Sequence, residues 1–386
     1  MTRQKSGVQK DGLTKRGSKW SYIVRIPDPV TGVTKQKWIS GFATKEEAKS
    51  ARDLARTESR QGVFVSPSKI TVQEHFEEWI NLKKTKVKAT TADNYRQLLD
   101  FYILPKFGNT LLKDLNAFKI ERFYLDLAEG GSRKGNPLSR STVRLVSIVL
   151  AQGLERAVKE RKLALNPAKG IERPVGKTRR NEPFTASELK TFLSGVEGHR
   201  LSAFYRLSAY SGARRGELVA LRWADMDLDK GIITISKNRT RVRSEVIEQN
   251  STKGGEGRRT IDIDLETTRI MKAHKVRQNQ ERLLLGEAWH ETGYIFVQEH
   301  GLPIDPDTPS KLFQSVRERL ELREQTLHDL RHLHATELLR HGVGIHLVKE
   351  RLGHKDISVT LEIYGHIRAD DKKAVADQFV SAIENG

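Results

Sequence analysis

The stretches HDLRH, residues 328–332, and LGHKDISVTLEIYGH, residues 352–366, decide the fold and the chemistry expected of this chain. In the first, His328 and Arg331 are three positions apart, so on a helix both side chains lie on one face. In the second, His354 precedes Tyr364 by ten residues. Imidazoles, a guanidinium and a phenol in this order indicate a site that binds an anion and contains a candidate nucleophile.

Two motifs upstream add the groups that transfer at phosphorus requires. They are SGARRGE, residues 211–217, with Arg214, and STKGGEGRR, residues 251–259, with Lys253. Charge builds on non-bridging oxygens during such a transfer, and the planar guanidinium is the side chain best suited to hold it. A tyrosine hydroxyl can form a covalent link to phosphate, and an amine can protonate the departing oxygen. The four motifs therefore predict phosphodiester chemistry.

In this chain order the four motifs resemble those of the tyrosine recombinase (phage integrase) family. The resemblance covers about residues 180–386 and, more weakly, the part of the chain before them. It implies a 3′-phosphotyrosyl intermediate with Tyr364 as the nucleophile and a free 5′-hydroxyl on the partner strand end. The catalytic residues that it implies are Arg214, Lys253, His328, Arg331, His354 and Tyr364.

Two assignments stay open on the sequence. Lys237 precedes a turn similar to the one that carries Lys253, and either lysine is a candidate general acid. Glu217, three residues after Arg214, either orients that guanidinium or forms an ordinary helical salt bridge.

Composition indicates a polyanionic partner. The chain has 68 Lys and Arg against 49 Asp and Glu, a net charge of +19 and a pI near 9.9, which favours nucleic acid. It has no cysteine, which excludes a disulfide framework, a thiolate zinc site and a cysteine nucleophile. The N-terminus lacks a signal peptide and no run of about 18 apolar residues occurs. We therefore expect a cytoplasmic protein that acts on DNA in a bacterial cell, without membrane contact.

No cofactor or metal is expected. His328, His332 and His334 invite a zinc interpretation, but HDLRH lacks the Glu that follows the first His in HExxH, and Arg331 would place a cation beside the metal. Neither GxGxxG nor GxxxxGK[ST] occurs in the glycine-containing motifs, so nothing argues for a bound nucleotide.

The sequence divides into three parts and predicts a multidomain α+β protein. Residues 1–65 form a small β-sheet with one helix and carry 14 Lys and Arg against 6 Asp and Glu, as expected of a DNA-contacting arm module. Residues 66–173 form an all-α, SAM-like core-binding domain. A basic linker, residues 174–184, leads to a mixed, mainly helical catalytic domain with a small antiparallel sheet at residues 185–386.

Local signals place the elements. The residues from Trp20 to Ser40 alternate around a Pro/Gly turn and predict a hairpin. Thr44 is a candidate N-cap of the helix in the first part. Four helical patterns follow in the second part, where Thr71, Thr91 and Ser139 are candidate N-caps. In the third part, RRGELVALRW, residues 214–223, has a helical pattern, whereas GIITISKN, residues 231–238, alternates as a strand.

The resemblance also implies partners. These are double-stranded DNA at core and arm sites and a homotetramer on two duplexes, with a DNA-bending host protein and an excisionase as further candidates. The last helical stretch, with Val375, Phe379 and Ile383 on one apolar face, either contacts another subunit or packs on its own domain. Two rivals remain: a type IB topoisomerase or resolvase of the same chemistry, and a DNA-binding regulator without catalysis.

Overall fold

The structure, a computed structural model, describes residues 12–27, 34–60, 69–132, 135–174, 184–250 and 258–353. Several features predicted from the sequence lie outside these residues: Lys253, His354, Tyr364, nearly all of the linker and the C-terminal helix. The chain divides into two compact units, Met1–Arg179 and Arg180–Gly386. The mixed α+β class predicted from the sequence is confirmed.

The first unit begins with a three-stranded antiparallel sheet in the order β1-β2-β3. Its strands are β1 (Leu13–Arg16), β2 (Lys19–Pro27) and β3 (Thr34–Phe42). The pairing of Ile23 with Trp38 confirms the predicted hairpin, whose turn lies outside the described residues. Alternation brings the buried apolar side chains of this sheet, Leu13, Tyr22, Val24 and Ile39, to one face.

Helix α1 (Lys45–Arg60) packs on that face. The hydroxyl oxygen of Thr44 accepts a hydrogen bond of 3.1 Å from the backbone N–H of Glu47, which confirms the predicted N-cap. Ala48 and Ala55 are buried against Leu13, Tyr22 and Val24. The module therefore has its own small core.

The helices α2 (Val72–Lys84), α3 (Ala89–Leu98), α4 (Leu104–Phe107), α5 (Ala117–Gly130) and α6 (Arg140–Lys159) follow. They share a second core that includes Phe76, Phe123 and Leu150. Thr71 and Glu74 form a reciprocal capping box, and Ser139 accepts from the N–H of Thr142, so both of these predicted N-caps are confirmed.

Two local predictions in this region are wrong. Thr91 is not an N-cap, because Lys88 already accepts backbone hydrogen bonds from Thr91 and Ala92 and the helix begins a turn earlier. The second of the four helical patterns, TTADNYRQLLDFYILPKF at residues 90–107, is also divided: a π-helical turn at Leu99–Ile103 separates α3 from α4. Leu99 and Ile103 are fully buried, so the wider turn keeps both apolar side chains in the core.

The second unit is mainly helical. Its helices are α7 (Ala186–Gly195), α8 (Ser202–Ser211), α9 (Arg215–Leu218), α10 (Leu265–Leu285), α11 (Thr308–Arg319), α12 (Asp329–Arg340) and α13 (Ile345–Leu352). Aromatic side chains, among them Phe192, Tyr205 and Phe313, fill its core.

Two small antiparallel sheets complete this unit. Strands β4 (Met226–Asp227), β5 (Ile232–Ile235) and β8 (Arg259–Asp262) form one, and β6 (Lys237–Val242) pairs with β7 (Glu245–Asn250) in the other. The helix predicted over residues 214–223 is wrong beyond Leu218. There the chain turns inward, and the N–H of Ile295 donates to the carbonyl of Leu221, a tertiary contact that overrides helical propensity.

Candidate active site

The first turn of α12 carries two of the predicted site residues. The carboxylate of Asp329 accepts from the backbone N–H and the hydroxyl of Thr326, both at 2.7 Å, and so fixes the start of the helix. His328 is the N-cap residue and Arg331 lies within the first turn. Leu330 and Leu333 are buried beside them, which anchors this turn to the core.

Arg331 is almost completely buried, with 4% of its surface exposed. Its Nη1 donates to the carbonyl of Gly212 at 2.6 Å, and its Nη2 donates to the carbonyl of Leu352 at 2.7 Å. These bonds use two of the five guanidinium donors. Arg331 therefore ties α12 to the ends of α8 and α13.

Gly212 leaves the space that α12 and α13 need to lie close to the end of α8. It ends α8 in the left-handed conformation, with φ of 64°. A Cβ at this position would come within 2.7 Å of side-chain atoms of both His334 and Leu352. A glycine therefore lets α12 and α13 close on the turn that leads to Arg214.

Arg214 stands at the N-terminus of α9, and 41% of its side chain is exposed. Its Nη1 donates to Glu217 at 3.0 Å, its backbone N–H donates to the same carboxylate at 2.9 Å, and its Nη2 donates to the carbonyl of Gly353 at 3.3 Å. Glu217 is 2% exposed. Of the two interpretations left open by the sequence, the structure shows that Glu217 holds both the main chain and the side chain of Arg214.

A third arginine, not among the site residues predicted from the sequence, completes the cluster. Arg259, at the start of β8, donates from Nη1 and Nη2 to the two oxygens of Glu217, at 3.1 and 2.8 Å. The sequence contains a clue to it, because Arg259 shares the alternation phase of the buried Ile261 and Ile263. A charged residue on the buried face of a strand needs a buried partner.

Arg331 and Glu217 both stay charged although they are buried. Burial and then the charge of Arg214 lower the pKa of Arg331 to about 9, so it stays protonated at neutral pH. Burial works against ionisation of Glu217, but its hydrogen bonds and ion pair with Arg259, followed by the contacts of Arg214, bring its pKa below the ordinary value. Three guanidiniums thus lie near one carboxylate, two of them bonded to it, and the cluster keeps an excess of positive charge.

His328 and Arg214 line the same open groove, which has a volume of about 700 Å³. Partial desolvation, and then the charges of His332 and Arg331, lower the pKa of His328. A neutral imidazole beside an exposed guanidinium can accept a proton next to a bound anion. The groove is also lined by Arg215, Asn238, Arg239, Ser310, Gln314, Arg317 and Thr326.

The histidine-rich helix shows no zinc site in its described residues. The Nε2 of His334 accepts from Arg351 at 3.0 Å and its Nδ1 bonds the carbonyl of Ala209 at 3.0 Å, so both ring nitrogens are engaged. Desolvation and then Arg351 lower the pKa of His334 to about 4. Within the described ranges, metal-ligand spacing occurs instead at His75, Glu78 and Glu160.

Lys237 and Lys253 were the two candidate general acids, and the structure describes one of them. Lys237 opens strand β6 and forms an ion pair of 3.4 Å with Glu248. It does not directly precede a turn, because five more residues of strand follow it, so that part of the interpretation is wrong. Lys253 falls outside the described residues, in the segment between β7 and β8, and its role stays a prediction.

Models of three known domain families match this chain. The phage integrase family matches residues 182–370, an arm DNA-binding domain matches residues 10–55, and the N-terminal SAM-like domain of phage integrases matches residues 71–128. The chain belongs to the phage integrase family. It is a DNA-cleaving and rejoining enzyme of the tyrosine recombinase kind.

Individual proteins agree with the family models. The "Tyrosine recombinase XerC-like" protein of Caldanaerobacter subterraneus subsp. tengcongensis is 28% identical over 344 residues, which cover 84% of this chain and 86% of that protein. The ICEBs1 integrase of Bacillus subtilis is 26% identical and covers 91% and 94%. The Tn1549 transposon integrase in complex with a circular intermediate DNA has a TM-score of 0.68 at 18% identity and covers 80% and 99%. This last likeness shows that the recombinase shares the integrase fold.

Proposed function

We propose that this recombinase integrates and excises a mobile element or phage genome by cutting DNA with Tyr364 at a phosphodiester held by Arg214 and Arg331. The observation that carries the proposal is the cationic cluster beside the groove. Arg214 and His328 open into that groove, while Arg331 and Arg259 bring further positive charge behind them around the single carboxylate of Glu217. Fixed guanidiniums of this kind stabilise the charge that develops on a phosphate.

The cleavage step balances without a cofactor. The phenolic oxygen of Tyr364 forms a bond to phosphorus, its proton passes to a neutral imidazole, and the bond from phosphorus to the 5′-oxygen breaks. Lys253 supplies the proton that the departing 5′-oxygen takes. In the reverse direction, the 5′-hydroxyl of the partner strand attacks the phosphotyrosine and releases Tyr364.

The two histidines share this work. His328 stands beside the exposed guanidinium of Arg214, and its lowered pKa leaves the ring neutral and able to take part in proton transfer. We assign His354 to the phosphate, with which its imidazole forms a hydrogen bond. Arg331 keeps three guanidinium N–H donors beyond those that bind the carbonyls of Gly212 and Leu352.

Each part of the chain receives a DNA contact in this proposal. Residues 1–65 bind arm sites, and residues 66–173 and 185–386, joined by the basic linker at residues 174–184, each bind DNA at the core site. The matches to an arm DNA-binding domain and to a SAM-like domain support this division. Solved relatives include a lambda integrase dimer bound to a core site, with a TM-score of 0.57 at 18% identity.

The proposed assembly is a homotetramer on two duplexes. A lambda integrase tetramer bound to a Holliday junction covers 91% of this chain, with a TM-score of 0.59 at 18% identity. A DNA-bending host protein and an excisionase remain part of the proposal. No helix in the described ranges is long and apolar enough to cross a membrane, and we place the reaction on DNA in a bacterial cytoplasm.

The relatives are integrases and recombinases, so they give no support to a type IB topoisomerase, a resolvase or a non-catalytic regulator. The decisive experiment incubates the purified chain with genomic and element DNA and sequences the junctions. Recombination at one defined sequence, followed by a covalent adduct on a nicked duplex of that sequence, is the expected result. Relaxation of any supercoiled plasmid without a preferred site, or DNA binding without an adduct, would overturn the proposal.

A further inference from the structure

Three consecutive backbone carbonyls at the end of α13 each accept a hydrogen bond from a different arginine. The carbonyl of Arg351 accepts from Arg259, that of Leu352 from Arg331, and that of Gly353 from Arg214. The last carbonyls of a helix have no partner within the helix and carry partial negative charge. Two of these arginines are predicted catalytic residues, and Arg259 has no assigned role.

Arg259 is held on every side of its guanidinium. Its Nε donates to the carbonyl of Arg351 at 2.9 Å, and its Nη1 and Nη2 form a fork on the carboxylate of Glu217. Only 8% of its side chain is exposed. A fork of parallel N–H donors fixes both the distance and the orientation of its carboxylate.

Glu217 passes this constraint to Arg214. The Glu217 oxygen that accepts from Nη1 of Arg259 also accepts from Nη1 of Arg214, and its other oxygen accepts from the backbone N–H of Arg214. The contacts therefore run from Arg259 to Glu217 and on to the exposed guanidinium in the groove. A carboxylate held from one side only would be free to turn.

Gly353 provides the space that this arrangement needs. It ends α13 with φ of 65°, and a Cβ there would lie 3.0 to 3.1 Å from three atoms of the Arg259 side chain. Left-handed backbone favours glycine, and the missing side chain admits the guanidinium of Arg259 against the helix end. The residue that follows in the sequence is His354.

We propose that Arg259 is a positioning residue for DNA cleavage. It holds Glu217 and the end of α13 in place, and through Glu217 it sets the orientation of Arg214. It does not contact DNA itself, because only 8% of its side chain is exposed and three of its five N–H donors already bind Arg351 and Glu217. This proposal rests on the proposed function, because DNA cleavage is the reaction by which the effect of Arg259 is measured.

The test compares Arg259→Lys, Arg259→Ala and the surface variant Arg269→Ala in the full-length recombinase. Arg269 is an exposed partner of Glu266 on α10 and serves as the matched loss of one arginine. Each protein is mixed in excess with a nicked duplex of the recombination sequence found by junction sequencing. The single-turnover rate of covalent adduct formation, the dissociation constant for the duplex and the melting temperature are measured.

We expect Arg259→Ala to slow adduct formation by roughly 10- to 100-fold, since small misplacements in a catalytic site cost that much. Arg259→Lys retains the charge but loses the fork, so it should recover only part of the rate. Arg269→Ala should react at the wild-type rate. The salt dependence of DNA binding should be unchanged by either Arg259 variant, whereas loss of a direct phosphate contact would lower the slope by about 0.9.

A pH profile separates positioning from general destabilisation. Without Arg259, Glu217 keeps its burial and only the charges of Arg214 and Arg331, so its pKa rises. As the pH is lowered, adduct formation by Arg259→Ala should then fall at a higher pH than the wild-type rate does. In Arg259→Ala/Glu217→Gln this additional fall should disappear.

The outcomes distinguish this proposal from the proposed function. An absence of adduct with the wild-type chain on the sequenced junction would overturn the proposed function. Wild-type rates in folded Arg259→Ala and Arg259→Lys would overturn only the positioning role. A reduced salt slope would assign Arg259 to DNA instead, and unfolding of both variants at the assay temperature would leave it a structural residue. Either result would overturn the proposal.

Discussion

Each unit of the molecule contains a cluster of charged side chains, partly exposed in the first unit and largely buried in the second, and the two clusters differ in their charge balance. In the helical part of the first unit, the ammonium of Lys162 lies 2.6 Å from Glu78 and 2.9 Å from Glu160, and Arg156 pairs with Glu160. The two positive charges of this cluster therefore balance its two negative charges. Desolvation, opposed by a hydrogen bond to Gly153, lowers the pKa of the buried His75 beside them and keeps it neutral.

The cluster around Glu217 is not balanced. Arg214 and Arg259 bond its one carboxylate, while Arg331, close enough to feel the charge of that carboxylate, bonds backbone carbonyls that contribute only partial charges. A buried network that is neutral overall is complete without a ligand, whereas an excess of fixed cations beside an open groove favours an anion. This difference separates a structural ion-pair network from a site for phosphate. Lys162 occupies the space between the carboxylates where a metal ion would bind in the first cluster.

The largest expected effect belongs to Tyr364→Phe, which removes the nucleophilic oxygen. Adduct formation on the nicked duplex should be abolished, while the dissociation constant for DNA stays nearly unchanged because a single hydroxyl is lost. Gel analysis of adduct beside a binding titration measures both. Continued cleavage by this variant would show that another residue attacks the phosphate.

Next in size are Arg214→Ala and Arg331→Ala, which reduce the positive excess of the Glu217 cluster. Each should slow adduct formation by about 10²- to 10³-fold, as for other preorganised donors to a developing anion. Single-turnover kinetics at saturating protein measures the loss. A rate within two- to threefold of wild type for either variant, in a protein that melts normally, would remove that arginine from the phosphate site.

Acid should lower the free energy of unfolding of the catalytic unit, because this unit buries two neutral histidines. Desolvation comes first among the causes that lower the pKa of both His274 and His334 to about 4. In the unfolded chain both titrate near 6.5, so their contribution is complete above pH 6.5 and is lost as the pH falls towards 4. Thermal melting of the full chain from pH 7 to pH 4.5 should show this. His274→Gln, which keeps an N–H for the carbonyl of Ile295, should flatten the dependence; an unchanged profile would contradict it.

The smallest effect is expected for Lys162→Met in the balanced cluster. It should lower the free energy of unfolding by about 1 kcal/mol, since both of its ion pairs are partly exposed. The adduct rate of the DNA-bound protein should stay within twofold of wild type. A fall comparable with that of Arg214→Ala would show that the two clusters do not differ in function.

Chain order and local signals were enough to predict the fold class, the N-terminal hairpin and the helix that carries His328 and Arg331. Caps such as Thr71 were predictable because their hydrogen bonds are made within one turn. The end of α9 at Leu218 was not, because residues distant in sequence bury the segment that follows. Arg259 was missed for a similar reason: its partners, Glu217 and the carbonyl of Arg351, lie 42 and 92 positions away.

The most direct test identifies the residue that becomes linked to DNA. The wild-type chain is trapped on the nicked duplex, treated with nuclease and trypsin, and analysed by mass spectrometry. Cleavage after Lys355 and Arg368 gives DISVTLEIYGHIR, a peptide with Tyr364 as its only tyrosine. We expect a nucleotide remnant on that phenolic oxygen. A remnant on any other peptide would contradict it.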